Sequence, residues 1–261
     1  MLTKNERNLI KSLRVKENRH RENRMVVEGV KGVLELLNSS IITERIYVTS
    51  GMECSRIKSV AKEKLVDLCE VSKRDMEIMS SLKKAPGILA VGKIKYSTKD
   101  ELIEAICKPQ KNTIPTILML DDLVDPGNVG TLVRTALWFG LCGVVCSPRT
   151  ADIWNAKTIQ SSMGSVFNIP IVVSEIGDFI VDNNILGVGL DAGGSDLHST
   201  DTMPGAIIVG SESHGISESV SASINEVWSI PGSGLAESLN ASIAGAIACS
   251  VVAKRWYSLN R

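Results

Sequence analysis

Short continuous runs of apolar residues recur along this chain, and many are separated by amphipathic segments of helical length. In the C-terminal half the two alternate regularly, which is typical of parallel strands joined by helices that cover both faces of a sheet. The predicted strands there are 117–120, 143–146, 169–173, 186–190, 206–209 and 227–230. The predicted helices are 129–139, 151–163, 176–182 and 238–254. The predicted fold class is therefore α/β, with a parallel sheet in the C-terminal half.

The N-terminal half has the pattern of a smaller α/β domain. It begins with a predicted basic helix over residues 1–20, and it continues with helices at 29–37, 57–64 and 74–82 and extended segments at 46–48, 66–71 and 88–92. A polar stretch with two prolines, 108–115, lies between apolar runs and is the predicted linker. The predicted domains are therefore 1–107 and 116–261.

Composition excludes several classes of protein. No apolar run reaches the roughly 18 residues that a membrane span requires, and the first residues lack the apolar region of a secretory signal. The six cysteines are scattered without a C-x-x-C pair, so we expect reduced thiols in a cytoplasmic protein. With three histidines in the chain, a histidine-based metal site is not expected.

The charge of the chain is unevenly distributed. The formal net charge of +0 argues against a polybasic nucleic-acid binder, but residues 1–24 contain eight basic and three acidic side chains, which leaves +5. This run is either a solvated helix face or an arm that binds phosphate, in which case RNA affinity would depend on salt.

Three predicted strands are followed by glycine-rich loops. The loops are Asp-Ala-Gly-Gly at 191–194, Gly-Ser-Glu-Ser-His-Gly at 210–215 and Pro-Gly-Ser-Gly at 231–234. Ligands of parallel sheets bind beyond the carboxyl ends of the strands, and glycine lets the backbone approach a ligand closely. The three loops together predict a small-molecule site built from backbone groups.

Common phosphate and nucleophile motifs do not account for these loops. Gly210 and Gly215 have Walker A spacing, but Ile216 stands where the lysine is required. No G-x-G-x-x-G follows the first strand of the sheet, which argues against a Rossmann dinucleotide site. Ser211 replaces the first glycine of a G-x-S-x-G nucleophile elbow.

Residues 125–136 follow a predicted strand and open a predicted helix. Four positions of this helix form an apolar stripe, whereas Arg134 shares another face with Thr131, Thr135 and Trp138. An arginine at such a position is commonly exposed without a function. Because the preceding turn directs the helix start to the same sheet edge as the glycine loops, Arg134 is a candidate functional residue.

From Ser238, apolar residues at helical spacing continue to about Lys254, and Ser238 is the predicted N-cap of this last helix. The loop at 231–234 would then lie at the positive end of the helix, where anions are favoured. A capped C-terminal helix without a ligand is the alternative interpretation.

Three segments carry a family resemblance. They are Asp125-Pro-Gly-Asn-Val-Gly-Thr-Leu-Val-Arg-Thr-Ala136, Ile208-Val-Gly-Ser-Glu-Ser-His-Gly-Ile-Ser217 and Ile230-Pro-Gly-Ser-Gly-Leu-Ala-Glu-Ser-Leu-Asn-Ala-Ser-Ile-Ala244. In order and spacing they resemble the three motifs of the SpoU family, which are SPOUT-class, S-adenosylmethionine-dependent RNA ribose 2′-O-methyltransferases. The resemblance covers the chain from about Thr116, and the first hundred residues more loosely resemble the family's ribosomal-protein-like substrate-binding domain. Two departures, Ser211 for asparagine and Ala241 for valine, concern details of the pocket.

The resemblance implies a C-terminal trefoil knot, a homodimer with sites near the dimer interface, S-adenosylmethionine as cofactor and RNA as substrate, with no metal. The catalytic residues carried over by motif are Asn128, Arg134, Glu212, Ser238 and Asn240. The implied contacts of the methyl donor are Leu190, Gly210, Ile230, Gly234 and Leu239.

Methyl transfer to a ribose hydroxyl needs alignment of the reactants and removal of one proton. A guanidinium normally stays protonated, which argues against Arg134 as the base. The charge of Arg134 instead favours a role in which it binds the adjacent phosphate and stabilises the alkoxide. Ser238 would share that phosphate, and His214 is the alternative base.

Two domains and a basic N-terminal arm favour ribosomal RNA over tRNA as the substrate. The low aromatic content, 4%, favours recognition of RNA shape and backbone. Three alternatives stay open: a tRNA 2′-O-methyltransferase, a non-catalytic RNA-binding or ribosome-assembly protein on the same fold, and an α/β enzyme acting on a small anionic metabolite.

Overall fold

The computed structural model describes residues 2–260, which form two compact units. The elements up to residue 93 are α1 (Lys4–Ser12), α2 (Lys16–Glu22), β1 (Arg24–Glu28), α3 (Val30–Asn38), β2 (Thr43–Thr49), α4 (Ser55–Glu63), β3 (Asp67–Val71), α5 (Lys73–Met79) and β4 (Ile88–Lys93). The following elements are α6 (Lys99–Cys107), β5 (Ile114–Leu120), α7 (Pro126–Phe139), β6 (Leu141–Cys146), α8 (Ala156–Ser161), β7 (Ile171–Val173), α9 (Ile176–Asp182), β8 (Gly187–Asp196), β9 (Ala206–Val209), α10 (Glu218–Ser221), β10 (Glu226–Ser229) and α11 (Ala241–Leu259). A short 3-10 helix, Ser165–Phe167, follows α8.

The first unit comprises the chain up to Lys95 together with Asp152–Asn168. Its sheet has the strand order β1-β4-β2-β3, with β4 antiparallel to both of its neighbours and β2 parallel to β3. The first five residues of β4 are buried, which requires cover on both faces of this strand. Ile10 of α1 and Tyr47 of β2 belong to one core cluster of this unit.

The basic N-terminal segment forms two helices, so the prediction of a single helix over 1–20 is wrong. Leu13 is buried where α1 ends, and the chain turns before α2 begins. The turn directs Arg19 inward, where its guanidinium donates to the carbonyls of Leu13 and Arg14 and to the Asp152 carboxylate (Nε–Oδ2 2.9 Å). Arg19 therefore satisfies carbonyl groups that the end of α1 leaves without helical partners.

Other arginines of the N-terminal segment also bind partners inside the first unit. Arg7 forms an ion pair with Asp75, and Arg24 forms one with Glu44, each at 2.6 Å. Exposed lysines of this segment are Lys4, Lys11 and Lys16. The segment thus presents fewer outward charges than its composition suggests, and its binding to phosphate stays a prediction.

Six parallel strands form the sheet of the second unit, in the order β10-β8-β9-β5-β6-β7. All residues of β6 and β9 are buried, as expected of parallel strands that are covered on both faces. The predicted α/β class with a parallel C-terminal sheet is confirmed. The strand order does not test the trefoil knot, which stays a prediction.

The boundary between the units differs from the predicted one. The second unit begins at Tyr96, so α6 belongs to it and not to the predicted domain 1–107. Leu102 on α6 is fully buried in a core cluster of the parallel sheet, which explains this placement. The predicted linker 108–115 already contains the first two residues of β5, Ile114 and Pro115.

A segment from the C-terminal half of the chain belongs to the first unit. This segment, Asp152–Asn168, lies between β6 and β7 and was predicted as part of the domain 116–261. It contains α8, which is shorter than the predicted helix 151–163. It lies so close to α3 that a Cβ added at Gly164 would be 2.6 Å from the Cβ of Glu35.

Helix α7 has the two faces that its sequence predicts. Its apolar positions, Val129, Leu132, Val133 and Ala136, have no solvent exposure, whereas Arg134 and Trp138 are exposed. Helix α11 packs against α7, and a Cβ added at Gly245 would be 2.4 Å from the side chain of Leu132. Among the helices of residues 2–260, none is long and apolar enough to cross a membrane.

Candidate active site

The predicted glycine loops follow β8, β9 and β10, which are neighbours in the parallel sheet, so they lie at one edge. Residues 191–194 are nevertheless part of a strand, because β8 continues to Asp196. A Cβ added at Gly194 would be 2.4 Å from the carbonyl oxygen of Val227, so this glycine lets β8 and β10 approach closely. Val227 pairs with Gly189 and the next residue, Trp228, pairs with Ser195, so residues 190–194 bulge out of the pairing with β10, where the sequence predicts a loop. Leu190, just before this stretch, is half-buried.

The second glycine segment is a tight loop that closes on itself. Ser211 and Gly215 exchange two backbone hydrogen bonds of 2.8 and 2.9 Å, and Gly215 has a φ of 66°. A Cβ added at Gly210 would be 2.3 Å from the carbonyl carbon of Gly215, so the loop itself requires glycine at that position. The loop presents the exposed residue Glu212 at the sheet edge.

The third segment is an open loop. All residues of 231–240 are exposed, and Gly234 has a φ of 75°. No described heavy atom would lie within 4 Å of a Cβ added at Gly232 or Gly234. Leu239 is 50% exposed, and Ile230 is half-buried just before the loop. This segment therefore has space for a ligand and apolar side chains beside it.

Asn128 joins the segments by hydrogen bonds. It lies in the first turn of α7, where the N-cap Asp125 accepts a hydrogen bond from its backbone nitrogen (3.2 Å). The side-chain nitrogen of Asn128 donates to Glu212 (Nδ2–Oε1 2.7 Å), and its side-chain oxygen accepts from Asn240 (Nδ2–Oδ1 3.1 Å). Asn128 is 9% exposed, so a nearly buried amide is satisfied at both ends. We call Asn128, Glu212 and Asn240 the polar triad.

The polar triad fixes the position of a carboxylate at the sheet edge. The bond from Asn128 to Glu212 is charge-assisted, and the bond from Asn240 to Asn128 points in the same donor-to-acceptor direction. Hydrogen bonds in such a chain polarise one another. The tight loop, the start of α7 and the start of α11 are thereby held together.

Helix α11 begins at Ala241 with Asn240 as its N-cap, so the prediction of Ser238 as the N-cap is wrong. The side-chain oxygen of Asn240 accepts from the backbone nitrogens of Ser242 (2.9 Å) and Ile243 (3.3 Å), which is the usual capping geometry. Ser238 lies in the exposed loop upstream. Sequence reasoning missed Ser242, which is 6% exposed and donates its hydroxyl to Asn240 (2.6 Å). The available signal was an asparagine followed two residues later by a serine at a helix start.

Arg134 lies on a different face of α7 from the polar triad. It follows Asn128 by six residues, which corresponds to a rotation of about 240° around the helix axis. Trp138 lies one turn beyond Arg134 on the same face and is 80% exposed. The structure therefore brings three of the five predicted catalytic residues together, while Arg134 and Ser238 lie on exposed surface.

His214, the alternative base, lies in the tight loop. Its ring nitrogen Nδ1 and the hydroxyl of Ser213 are 2.7 Å apart, and both side chains are exposed. The described contact of His214 is thus with its own neighbour, whereas Glu212 is bound to Asn128.

Sequence reasoning missed a second feature of the sheet edge, a cavity of ≈ 280 Å³ beyond β5, β6 and β7. Asp121 is 2% exposed and accepts from the backbone nitrogen of Ser217 (2.7 Å). Burial raises the pKa of Asp122, but hydrogen bonds from Arg149 and Ser147 outweigh this effect and lower that pKa below its ordinary value. Adjacent aspartates after a strand were the available signal. Among residues 2–260, no three His, Cys, Asp or Glu side chains form a group that could hold a metal ion.

The fold and the site define a class: an α/β protein whose parallel sheet carries a polar triad at its loop edge, with a second α/β unit. Residues 115–250 match the model of the SpoU rRNA Methylase family, and residues 8–90 match the MRM3-like substrate binding domain. An uncharacterized tRNA/rRNA methyltransferase of Mycolicibacterium paratuberculosis is 32% identical over 244 residues, which are 88% of this chain and 77% of that protein. The chain belongs to the SpoU rRNA methylase family, and the predicted class of RNA methyltransferase is confirmed.

Solved structures are similar over almost the whole chain. A protein assigned to the TrmH family of RNA methyltransferases, from Porphyromonas gingivalis, is 29% identical with a TM-score of 0.81 and covers 98% of this chain and 99% of its own. An AdoMet-bound rRNA methyltransferase from Sinorhizobium meliloti has a TM-score of 0.82 at 24% identity, covering 97% and 96%. The SpoU methyltransferase AviRb from Streptomyces viridochromogenes, in complex with AdoMet, has a TM-score of 0.82 at 22% identity, covering 97% and 98%. These last two similarities show the shared fold.

Proposed function

We propose that this protein transfers a methyl group from S-adenosylmethionine to a ribose 2′-hydroxyl of RNA, and that the RNA is ribosomal. The observation that carries the proposal is the polar triad. Asn128 of the first motif segment donates to Glu212 of the second at 2.7 Å and accepts from Asn240 of the third at 3.1 Å. Membership of the family supports the methyltransferase reaction, and the polar triad supports a working site.

The loop at the sheet edge fits the methyl donor. S-adenosylmethionine supplies an electrophilic methyl group on a sulfonium. Residues 231–240 are exposed, with open space around Gly232 and Gly234. Leu239 and Ile230 offer apolar surface of the kind that an adenosine group requires.

The residues of this chain would supply alignment and charge. As the oxygen–methyl bond forms and the sulfonium becomes a neutral thioether, the 2′-hydroxyl must release its proton to water. A protonated guanidinium cannot accept that proton, so Arg134 would bind the adjacent phosphate and stabilise the developing alkoxide. The polar triad would keep the loops aligned, which lowers the entropy cost of bringing the reactants together. Ser238, in the open loop, would bind the same phosphate.

A second copy of the chain would complete the site. Arg134 and Trp138 lie one turn apart on the exposed face of α7, so a partner that covers Trp138 would also cover Arg134. Ile243, near the start of α11, is 51% exposed, and Leu235 in the open loop is 93% exposed. Apolar side chains exposed to this degree support an interface between two copies.

The interface is tested by the oligomeric state. Trp138→Glu should convert a dimer to a monomer in sedimentation, because a charge would be buried at the interface. Val181→Glu, an equally drastic change at a 66% exposed position on α9, is the matched control. A wild-type monomer at micromolar concentration would contradict the dimer.

The role of Arg134 is tested by substitution. Arg134→Ala should abolish methyl transfer to RNA, measured with a tritiated donor, while donor binding measured by calorimetry survives. The reason is that Arg134 lies on exposed surface and holds no part of the described loops. Lys111→Ala, at an exposed basic residue of the second unit away from the sheet edge, is the control and should retain turnover. Near-normal turnover of Arg134→Ala would show that the assignment is wrong.

The RNA is identified by mapping. Mass spectrometry of 2′-O-methyl sites in rRNA and tRNA, from cells with and without this protein, should show one missing site in rRNA. A site missing from tRNA would show instead that the alternative substrate is correct. A protein that binds RNA but neither binds the donor nor transfers methyl groups would be the non-catalytic alternative. A cytoplasmic location stays a prediction.

A further inference from the structure

The first unit contains a cavity of ≈ 270 Å³ between the start of α3 and the segment Asp152–Asn168. Its volume is close to the lower limit of about 300 Å³ for small-ligand pockets. Side chains that line it include Val30, Leu82, Ile159, Gln160 and Met163. Val30 is 43% exposed and Met163 is 38% exposed, so part of this apolar wall is open to water.

The wall of the cavity has a fixed and unusual backbone. Met163 has a φ of 54°, in the left-handed region that a bulky side chain rarely adopts, and the next residue, Gly164, has a φ of 85°. Gly164 packs against Glu35 with no room for a side chain. Strained residues persist where the surrounding structure fixes them, and they are concentrated at ligand sites.

The loop after α5 is tied to the same cavity. Glu28, which also lines it, accepts from the backbone nitrogen and the hydroxyl of Ser81 (2.8 and 2.5 Å) and from the hydroxyl of Ser80. These bonds occupy the carboxylate and hold Leu82 at the wall. The exposed residue Lys31 lines the cavity, and the exposed residues Lys83 and Lys84 follow the lining residue Leu82 in the chain.

We infer that this cavity binds an unpaired base of the RNA substrate, with Lys31, Lys83 and Lys84 binding the phosphates on either side. The apolar wall suits the face of a base, and the amide of Gln160 offers both donors and an acceptor to its edge. The carboxylate among the lining residues, Glu28, is already hydrogen-bonded to Ser80 and Ser81, so the exposed lysines give the surroundings a positive charge that favours a polyanion as the occupant. The inference rests on the proposed function, and it names the part of the RNA that the first unit binds.

The test uses the full-length protein and a fluorescein-labelled RNA stem-loop whose loop consists of unpaired 5-iodouridines. Lys83→Gln/Lys84→Gln should reduce the slope of log affinity against log salt by about 0.7 for each lost phosphate contact, or about 1.4 in total. Lys62→Gln/Lys64→Gln, at two exposed lysines on and just after α4, is the matched control and should leave the slope unchanged.

Two uncharged substitutions test the cavity itself. Ala156→Leu fills space at a lining residue and should weaken RNA binding about tenfold, the size of effect expected from losing one base contact. The weakening should be the same at every salt concentration, so the slope of log affinity against log salt should not change. Gln160→Leu, at an exposed position that does not endanger folding, should weaken binding and reduce discrimination between loops of different bases. Ultraviolet cross-linking should join the iodouridines to peptides that contain Leu82, Gln160 or Met163.

Separate measurements distinguish this inference from the proposed function. The inference would be overturned if all the cavity variants bound RNA with wild-type affinity and slope, or if the cross-links fell only outside the cavity. Neither result would affect the methyl transfer that the same protein is proposed to perform. The opposite result is also distinguishable. If the wild-type protein transferred no methyl group, but the cavity variants bound RNA more weakly than the wild type, the RNA site would be supported and the proposed reaction would be wrong.

Discussion

Replacing Asn128 with alanine removes the residue that joins the motif segments. The change deletes the 2.7 Å hydrogen bond to Glu212 and the 3.1 Å hydrogen bond from Asn240. Helix α7 should persist, since its N-cap Asp125 is unchanged and alanine is a good helix former. The loss of stability should therefore measure the hydrogen bonds of the polar triad and not the stability of the helix.

The size of this loss follows from the burial of each partner. A hydrogen bond to a charged group contributes about 1.5–3 kcal/mol, and Glu212 belongs at the lower end because water can reach its exposed carboxylate. The bond from Asn240 to Asn128 is neutral and contributes about 1 kcal/mol. The higher helix propensity of alanine offsets about 0.5 kcal/mol. We expect Asn128→Ala to lower the free energy of unfolding by about 2 kcal/mol.

Urea unfolding measures this value as a lower midpoint at an unchanged slope. Thr131→Ala, one turn later on the exposed face of α7, is the control and should change the free energy of unfolding by less than about 0.5 kcal/mol. The double variant Asn128→Ala/Glu212→Ala should be more stable by about 1 kcal/mol than the sum of the single losses predicts. Strictly additive losses, or a loss no larger than that of the control, would refute the energetic coupling in the polar triad.

Two further predictions concern buried ionisable groups. Asp152→Ala leaves the guanidinium of Arg19, which is 3% exposed, without its carboxylate, and urea unfolding should show a loss of about 3–5 kcal/mol. Asp152→Asn, which keeps an acceptor, should lose less, and an equal loss in both variants would contradict the reasoning. Burial raises the pKa of the Cys142 and Cys249 thiols from 9.0 to about 12. Because the raised pKa belongs to the folded state, these thiols contribute stability below pH 9 that is lost as the pH rises towards 12. In Cys142→Ala and Cys249→Ala, the free energy of unfolding should therefore fall less steeply between pH 9 and pH 12 than in the wild type. A fall as steep as that of the wild type in both variants would contradict this.

The parallel sheet could be predicted because buried strands are short apolar runs with little polar interruption. The bounds of β9 and α9 coincide with the predicted 206–209 and 176–182. Strand β8 was predicted too short, because pairing with β10 resumes at Ser195 and Asp196 after a bulge in which Gly194 packs closely against Val227. That pairing depends on a strand more than thirty positions later, which a local pattern does not contain.

The contacts that build the site could not be derived from local pattern. Asn128, Glu212 and Asn240 were identified by the family motifs, but their hydrogen bonds join positions that are 84 and 112 residues apart. Ser238 and Asn240 are both good N-cap residues. The structure selects Asn240, whose side chain caps α11 and also donates to Asn128.

The packing of the segment Asp152–Asn168 with the first unit could not be predicted for a similar reason. Its helical pattern is that of an ordinary connection between β6 and β7, so the sequence predicts a helix of the parallel-sheet domain. The partner of Asp152 is Arg19, which precedes it by 133 positions. No periodicity links two residues at that distance along the chain.

The split make-up of the first unit has a consequence for synthesis. When the ribosome has released the chain up to Lys95, Arg19 has no carboxylate to bind until Asp152 emerges. The N-terminal unit therefore cannot complete its fold before β5 and β6 have been translated, so the usual order of one finished domain after another does not apply. A protease cut at a single loop would likewise fail to release this unit whole, because two separate stretches of polypeptide compose it.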